Sequence, residues 1–139
     1  MGDDRRSIEL ERLPGGGFRA TNVRGGTLTL GTGDRDEFSP VELLLVAIAG
    51  CSAVTVDAIT ARHAVPTRFE MEMSGRKVRD DQGQRLVDLL LELVAEFPEG
   101  EDGDRARERL PQAIRRTHEQ VCTVSRTVQL GTPIEFVEA

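Results

Sequence analysis

The sequence predicts an α+β fold in which antiparallel sheets pack around a central apolar helix. Three observations lead to this prediction: a capped, uncharged helical stretch, alternating apolar and polar residues on both sides of it, and a charged amphipathic stretch near the C-terminus. At 139 residues the chain is long enough for one hydrophobic core. We therefore expect a single domain over residues 1–139.

The central helix is predicted over Ser39–Arg62. Ser39 is a good N-cap, Pro40 suits the first helical position, and Glu42 completes a capping box. No charge occurs between Leu43 and Val56, so the helix is apolar on nearly every side and needs a cover all round. That cover is either a sheet and another helix or a second subunit. Because the uncharged run has about 14 residues and a membrane span needs roughly 20, we expect no membrane span.

Strands are predicted before and after this helix, because apolar residues alternate there with polar ones. A turn at Pro14–Gly17 and a second at Gly25-Gly26 join the first strands into an antiparallel meander. The later pair forms a hairpin, although Leu86–Phe97 is also compatible with a helix; we favour a strand because a hairpin would cover the apolar helix. The predicted strands are Ser7–Leu13, Phe18–Val23, Thr27–Leu30, Val65–Val78 and Leu86–Phe97.

The C-terminal third is predicted as loop, helix and strand. Pro98–Gly103 is an acidic loop, and Asp104–Val121 is an amphipathic helix that Pro111 kinks or divides. The chain then closes with strands at Val124–Leu130 and Ile134–Val137.

The composition disfavours several classes of partner. A net charge of -6, with no Trp and no Tyr, gives neither a basic surface for phosphates nor aromatic platforms for bases. We therefore expect no nucleic-acid partner. The N-terminus lacks the apolar core of a signal peptide, so we expect a cytoplasmic protein whose two cysteines, Cys51 and Cys122, are free thiols or a pair that cycles.

Cys51, near the middle of the apolar helix, has two interpretations. It is either a small buried hydrophobic residue or a reactive thiol. Burial raises the pKa of a thiol, so a reactive Cys51 needs a cation from elsewhere in the fold. The start of its own helix lies about 18 Å away and cannot help.

Cys122 follows His118 by four residues, so the two side chains share a helix face. His118 is either a tuning group for this thiol or a surface residue. The end of a helix carries negative partial charge, which opposes a thiolate and suits a resolving thiol better than an attacking one. A metal site made of Cys51, Cys122, His118 and His63 is a further alternative, but no CxxC or HxxxH pair anchors it, and we expect neither a metal nor a cofactor.

Two motifs resemble the OsmC/Ohr family, the osmotically inducible and organic hydroperoxide resistance proteins. Ser39 to Leu45 leading to Ala49-Gly50-Cys51 is similar to the family's signature helix. Val121-Cys122-Thr123-Val124-Ser125 is similar to its second cysteine motif, and the likeness extends from about Phe18 onward.

This resemblance implies an intertwined homodimer and a thiol peroxidase mechanism. Cys51 would attack an organic hydroperoxide and become a sulfenic acid, and Cys122 would condense with it to a disulfide. A dithiol reductant, of the lipoyl type in the best-understood branch, would restore both thiols. The alternative is a non-catalytic protein of the same fold that binds a small apolar ligand at the dimer interface.

The resemblance also implies an activating pair, an Arg from the first strands and an acid after the helix-start proline. Val41 follows Pro40 here, and Glu42 comes one residue later. Glu42 and Arg19 are therefore the candidates for the acid and the Arg.

Overall fold

The computed structural model describes residues 4–139 of the chain. It has an α+β architecture with antiparallel sheets, as the sequence predicts. The described residues form two compact units, one ending at Leu44 and the other spanning Leu45–Ala139. The helices and strands, in chain order, are β1 Ile8–Arg12, β2 Phe18–Asn22, β3 Thr27–Leu30, α1 Pro40–Thr60, β4 Arg68–Asp80, β5 Gly83–Glu96, α2 Glu101–Arg116, a π-helical turn Thr117–Val121, and α3 Thr123–Leu130.

The first unit contains a three-stranded antiparallel meander in the order β1-β2-β3. Ile8 pairs with Asn22 at one end of the β1–β2 ladder, and Phe18 pairs with Leu30 in the β2–β3 ladder. The Gly25 amide, at φ 90°, donates to the Asn22 carbonyl and closes the second turn at 3.1 Å. The meander and its two turns are thus confirmed.

The start of α1 carries the predicted capping box. The Glu42 amide donates to Ser39 Oγ at 3.2 Å, and the Ser39 amide donates to Glu42 Oε1 at 2.9 Å. Both orphan donors are satisfied reciprocally, which fixes where the helix begins. The carboxylate accepts from the backbone and from the hydroxyl of Ser39, and these hydrogen bonds lower the pKa of Glu42.

Among residues 4–139, burial of α1 is concentrated on one face. The buried residues are spaced four apart, which places them in one row along the helix: Ile48, Ser52, Val56 and Thr60. Val46 and Val54, on another face, are 51% and 73% exposed. The described residues of one chain therefore do not cover this helix all round, as the sequence suggested would be needed.

The helix is also longer than its uncharged run. It has 21 residues and is long and apolar enough, by length and composition, to cross a membrane. The core helix of a soluble protein has the same two properties, so this is weak support for a membrane span. The expectation of no membrane span stays a prediction.

The second unit contains the β4–β5 hairpin, which confirms the strand interpretation of Leu86–Phe97. Arg68 pairs with Glu96 at the open end, and Asp80 pairs with Gly83 at the turn. A bulge interrupts the ladder between Ser74 and Arg76, at Gly75. A Cβ on Gly75 would lie 2.8 Å from Leu89 Cδ2, so the Leu89 side chain would have to shift to admit a larger residue.

Two predictions for the C-terminal third are wrong in their boundaries. The acidic loop ends earlier than predicted because α2 begins at Glu101, with three acids in its first turn at the positive end of the helix dipole. The helix also runs through Pro111 without dividing.

The predicted C-terminal strands are wrong as well. Thr123–Leu130 forms α3, and the structure assigns no strand to residues 132–139. The β-branched residues of this segment suggested a strand. The cap of Cys122 at one end and Gly131, at φ 64°, at the other instead close a two-turn helix.

Candidate functional site

The two cysteines are brought together in the second unit, although 70 residues separate Ser52, the neighbour of Cys51, from Cys122. Cys51 is half-buried on α1, and Cys122 is fully buried at the start of α3. The two thiols are close enough for each to shift the pKa of the other. No disulfide joins them. The juxtaposition that two motifs at opposite ends of the sequence suggested is therefore present.

The backbone places Cys122 between two helices. The π-helical turn ends immediately before it, and its amide donates to the Thr117 carbonyl at 3.0 Å. Cys122 itself is extended, at φ -73° and ψ 104°, and is the N-cap of α3. Cys122 thus follows the end of one helix, as predicted, but it also begins α3, whose positive end lies at the sulfur.

Polar groups surround the Cys122 sulfur. The Ser125 amide donates to Sγ at 3.4 Å, in the manner of an N-cap, and the thiol donates to Ser125 Oγ at 3.2 Å. From α1, the Ser52 hydroxyl donates to the same sulfur at 4.0 Å. Burial raises the pKa of Cys122, but the hydrogen bonds with Cys51, Ser125 and Ser52 outweigh it, and the pKa is lowered overall.

The pKa of Cys51 is shifted in the opposite direction, because the effects that raise it outweigh those that lower it. Burial and the hydrogen bond with Cys122 raise its pKa. The backbone N–H groups of Val124 and Thr123 act in the opposite direction, because they stabilise a thiolate at this position. The start of its own helix is too far away, but the first turn of a different helix, α3, supplies these donors to Cys51.

Two cavities lie between α1 and the hairpin, and Ser52, the neighbour of Cys51, lines both of them. One has a volume of about 310 Å³ and includes Ser52 and Ser125 in its wall, both of which are hydrogen-bonded to Cys122. The other has a volume of about 210 Å³ and is lined mainly by apolar residues of α1, β4 and β5, among them Val56, Met71 and Leu91. Both volumes suit a small, largely apolar molecule.

His118 lies in the π-helical turn and lines both cavities. It is not among the groups that shift the pKa of either thiol. Within residues 4–139, no three His, Cys, Asp or Glu side chains are grouped as the ligands of a metal would be. The metal hypothesis therefore gains no support, and the serines and the backbone of α3, which sequence reasoning missed, are the groups that act on the cysteines.

Glu42 and Arg19, the predicted activating pair, belong to the first unit, and each already has a partner. Glu42 is engaged with Ser39 in the helix cap. Arg19 Nη1 contacts Glu11 Oε1 at 3.1 Å across the β1–β2 pair. Their assignment to the site stays a prediction.

Comparison with known proteins identifies the family. Residues 31–137 match the model of the OsmC-like protein family. An uncharacterized protein of Mycobacterium tuberculosis is 32% identical over 130 residues, which cover 91% of each chain.

Two solved structures support the fold. The OsmC-like protein of Mycoplasma pneumoniae superposes with a TM-score of 0.71 at 17% identity, covering 92% of this chain and 89% of that one. The organic hydroperoxide resistance protein OhrB of Bacillus subtilis superposes with a TM-score of 0.53 at 15% identity, covering 90% of each. The match over most of the sequence and the shared fold together show that the chain belongs to the OsmC-like protein family.

Proposed function

We propose that the protein is a thiol-dependent peroxidase that reduces organic hydroperoxides through Cys51 and Cys122. The observation that carries this proposal is the contact between the two thiols at the start of α3. Two thiols in contact can pass from the reduced pair to a disulfide without a large rearrangement of the backbone.

Cys51 is the attacking thiol in this proposal. It is the more exposed of the two, and the N–H groups of Thr123 and Val124 stabilise the thiolate that forms during attack. The Cys51 sulfur takes the distal oxygen of the hydroperoxide and becomes a sulfenic acid, while the O–O bond breaks and an alcohol leaves. Cys122 then attacks the Cys51 sulfur, forms the disulfide and releases water.

The substrate class is an organic hydroperoxide with a small or medium apolar group. Two cavities of about 210 and 310 Å³, lined mainly by side chains of the hairpin and α1 and both including Ser52, suit such a group. The resistance to organic hydroperoxides named for the Bacillus subtilis neighbour agrees with this class.

A dithiol, of the lipoyl type, is the proposed reductant. Thiol–disulfide exchange with a dithiol passes through a mixed disulfide and closes to a stable ring, which returns both cysteines to the reduced state. We further propose that the active form is a cytoplasmic homodimer, in which the partner covers the apolar face of α1 that includes Val46 and Val54.

Turnover tests the proposal directly. With reduced lipoamide and cumene hydroperoxide, the wild-type protein is expected to consume one dithiol per hydroperoxide. Cys51→Ser should abolish turnover, because no attacking thiol remains. Cys122→Ser should consume only about one equivalent of hydroperoxide and then stop or slow strongly. A Ser74→Ala variant, altered on the exposed side of β4, is the control and should turn over normally.

A second candidate function is non-catalytic binding of a small apolar ligand, and the same two cavities favour it. In that case Cys51→Ser binds the ligand as the wild type does and neither protein consumes hydroperoxide. Isothermal titration with decanoic acid, combined with the turnover assay, separates the two functions.

A further inference from the structure

The two cavities between α1 and the hairpin adjoin each other. They have volumes of about 310 and 210 Å³, and the residues that line both are Ser52, Leu89, Leu91 and His118. A residue that lines both cavities lies at their common boundary. Leu89 and Leu91 are the large apolar members of this group, so leucine side chains of β5 form the apolar part of the boundary.

The larger cavity is the one that is connected more closely to Cys122. Its wall includes Ser52 and Ser125, and both serines are hydrogen-bonded to the Cys122 sulfur. The remaining wall of the smaller cavity is mainly apolar and includes Val56 and Leu93. A ligand whose polar end lies at the serines therefore reaches the smaller cavity only across the leucine boundary.

A β-bulge determines where Leu89 lies. Asp88 and Leu89 of β5 are together opposite Gly75 of β4, at the point where the register of the hairpin shifts. Asp88 has a φ of 53°, in the left-handed region that Asp adopts more readily than most residues. Beyond the bulge, Leu89 continues the alternating row of Leu91 and Leu93, and all three leucines line the smaller cavity.

The neighbours of the bulge restrict the Leu89 side chain. A Cβ on Gly75 would lie 2.8 Å from Leu89 Cδ2, so the leucine occupies space that the glycine leaves open. Arg76 Nε and Nη2 donate to Asp88 Oδ2 at 3.1 and 2.8 Å. Because this ion pair is exposed, it contributes little to stability, and we assign the position of Leu89 chiefly to its packing over Gly75.

We propose that Leu89 is a specificity-determining residue, whose side chain separates the two cavities and limits the ligand to one with a short apolar group. A short group fits within one cavity, whereas a long chain needs both and meets Leu89. The proposal deepens the proposed function and rests on it only for the identity of the ligand as a hydroperoxide. Leu89 is 40% exposed, so its truncation removes little packing from the core.

Binding of straight-chain alcohols tests this separation without hydroperoxide. Hexan-1-ol and decan-1-ol are titrated into the reduced, isotope-labelled protein, and the backbone amide signals of β4 and β5 are followed by NMR. Alcohol bound on the exposed face of α1 is therefore not counted. The wild type is expected to bind the two alcohols with Kd values within about threefold of each other, because the additional CH2 groups of decanol stay in water.

Leu89→Ala should join the two cavities and admit the longer chain. Each buried CH2 strengthens binding about fourfold, so burial of two of the additional CH2 groups gives a preference for decanol above about tenfold. If Leu89→Ala fails to fold, Leu89→Val, which is shorter than leucine by one CH2, should shift the preference in the same direction.

Leu86→Ala is the matched control. Leu86 Cδ1 lies 3.6 Å from the position of a Cβ on Gly75, but among the described residues Leu86 is not part of the wall of either cavity. This variant should keep the wild-type preference. A wild type that binds decanol more than about threefold more tightly than hexanol would overturn the proposal. A folded Leu89→Ala variant with the wild-type preference, or no alcohol bound at the hairpin, would overturn it as well.

Turnover separates this proposal from the proposed function. In the peroxidase assay, Leu89→Ala should raise kcat/KM for decyl hydroperoxide relative to that for hexyl hydroperoxide. A changed alcohol preference without turnover of either hydroperoxide contradicts the peroxidase function and supports the role of Leu89. Normal turnover with an unchanged alcohol preference contradicts the role of Leu89 alone.

Discussion

At the residue scale, Cys122 has a structural role besides its proposed chemistry. A cysteine is an unusual N-cap, since the preferred caps are Ser, Thr, Asp and Asn. Here the sulfur accepts a hydrogen bond from the Ser125 amide, and it also forms hydrogen bonds with the hydroxyls of Ser52 and Ser125. The same atom therefore caps the N-terminus of α3, connects α3 to α1 through Ser52, and lies close to Cys51.

Removal of this sulfur should destabilise the reduced protein. Cys122→Ala leaves the Ser125 amide without its cap and opens a small gap in a fully buried place. We expect a loss of about 1–2 kcal/mol in the free energy of unfolding, typical of a lost N-cap with some lost packing. Urea denaturation of the reduced protein measures it. Cys122→Ser, which keeps a capping oxygen, should lose less than Cys122→Ala, and equal losses would contradict the capping role.

The sequence allowed the two cysteines to be singled out, but not their surroundings. Cys51 and Cys122 were recognised from short motifs, whereas their proximity depends on how α1 and α3 pack. Ser125 was visible three residues after Cys122, the spacing of an N-cap with its N3 residue. The β-branched residues of the same segment favour a strand, and this preference conceals the N-cap spacing that supplies the hydrogen bonds.

At the element scale, the elements with a regular pattern of apolar residues or a recognisable cap were predicted correctly. The β1–β3 meander and the β4–β5 hairpin follow from alternation, and the start of α1 follows from its capping box. The segment Thr123–Leu130 has both β-branched residues and a Val124–Val128 spacing of one helical turn. The β-branched residues of this segment favour a strand, but the caps at Cys122 and Gly131 stabilise a helix instead.

The capping box of α1 gives a pH-dependent prediction. The folded protein has a lowered pKa at Glu42, so the box stabilises the fold above the ordinary carboxyl pKa of 4.5 and loses this contribution as the pH falls through the lower folded value. Glu42→Gln should therefore be less stable than the wild type at pH 7, and the difference should shrink toward pH 3. Thermal unfolding at both pH values measures this. A difference that does not depend on pH would show that the carboxylate is not the stabilising group.

The first turn of α2 depends on Gly103. A Cβ at this position would lie 1.7 Å from the Pro98 carbonyl oxygen, so the backbone must shift to admit any side chain. Gly103→Ala should lower the free energy of unfolding by about 1–3 kcal/mol, the range of overpacking changes. Gly15→Ala is the matched control, because a Cβ there meets no atom within 4 Å, and it should cost little. Equal stabilities of the two variants would contradict the close approach.

At the scale of the whole molecule, the exposed apolar face of α1 is a surface that we expect a partner to cover. The sequence showed that this helix is apolar on nearly every side, and the part of the chain that the structure describes buries mainly one face of it. Apolar surface left in water lowers stability and promotes association. Neither the sequence nor the single chain determines the partner, since a self-complementary interface depends on two surfaces at once.

A charge on that face tests the proposed homodimer. Val54→Glu should convert the dimer to monomer, because a buried unpaired carboxylate would face the partner. Val65→Glu is the control, since Val65 is 75% exposed but lies beyond the helix. Analytical ultracentrifugation of wild type and both variants gives the mass. A monomeric wild type, or a Val54→Glu variant that remains dimeric, would contradict this interface.

The central claim is that Cys51 and Cys122 form one redox pair. Reduced protein is mixed with one equivalent of cumene hydroperoxide, free thiols are counted, and the digest is analysed by mass spectrometry without reduction. The account predicts the loss of both thiols and a peptide pair joined through Cys51 and Cys122. Two free thiols remaining in millimolar hydroperoxide would contradict it.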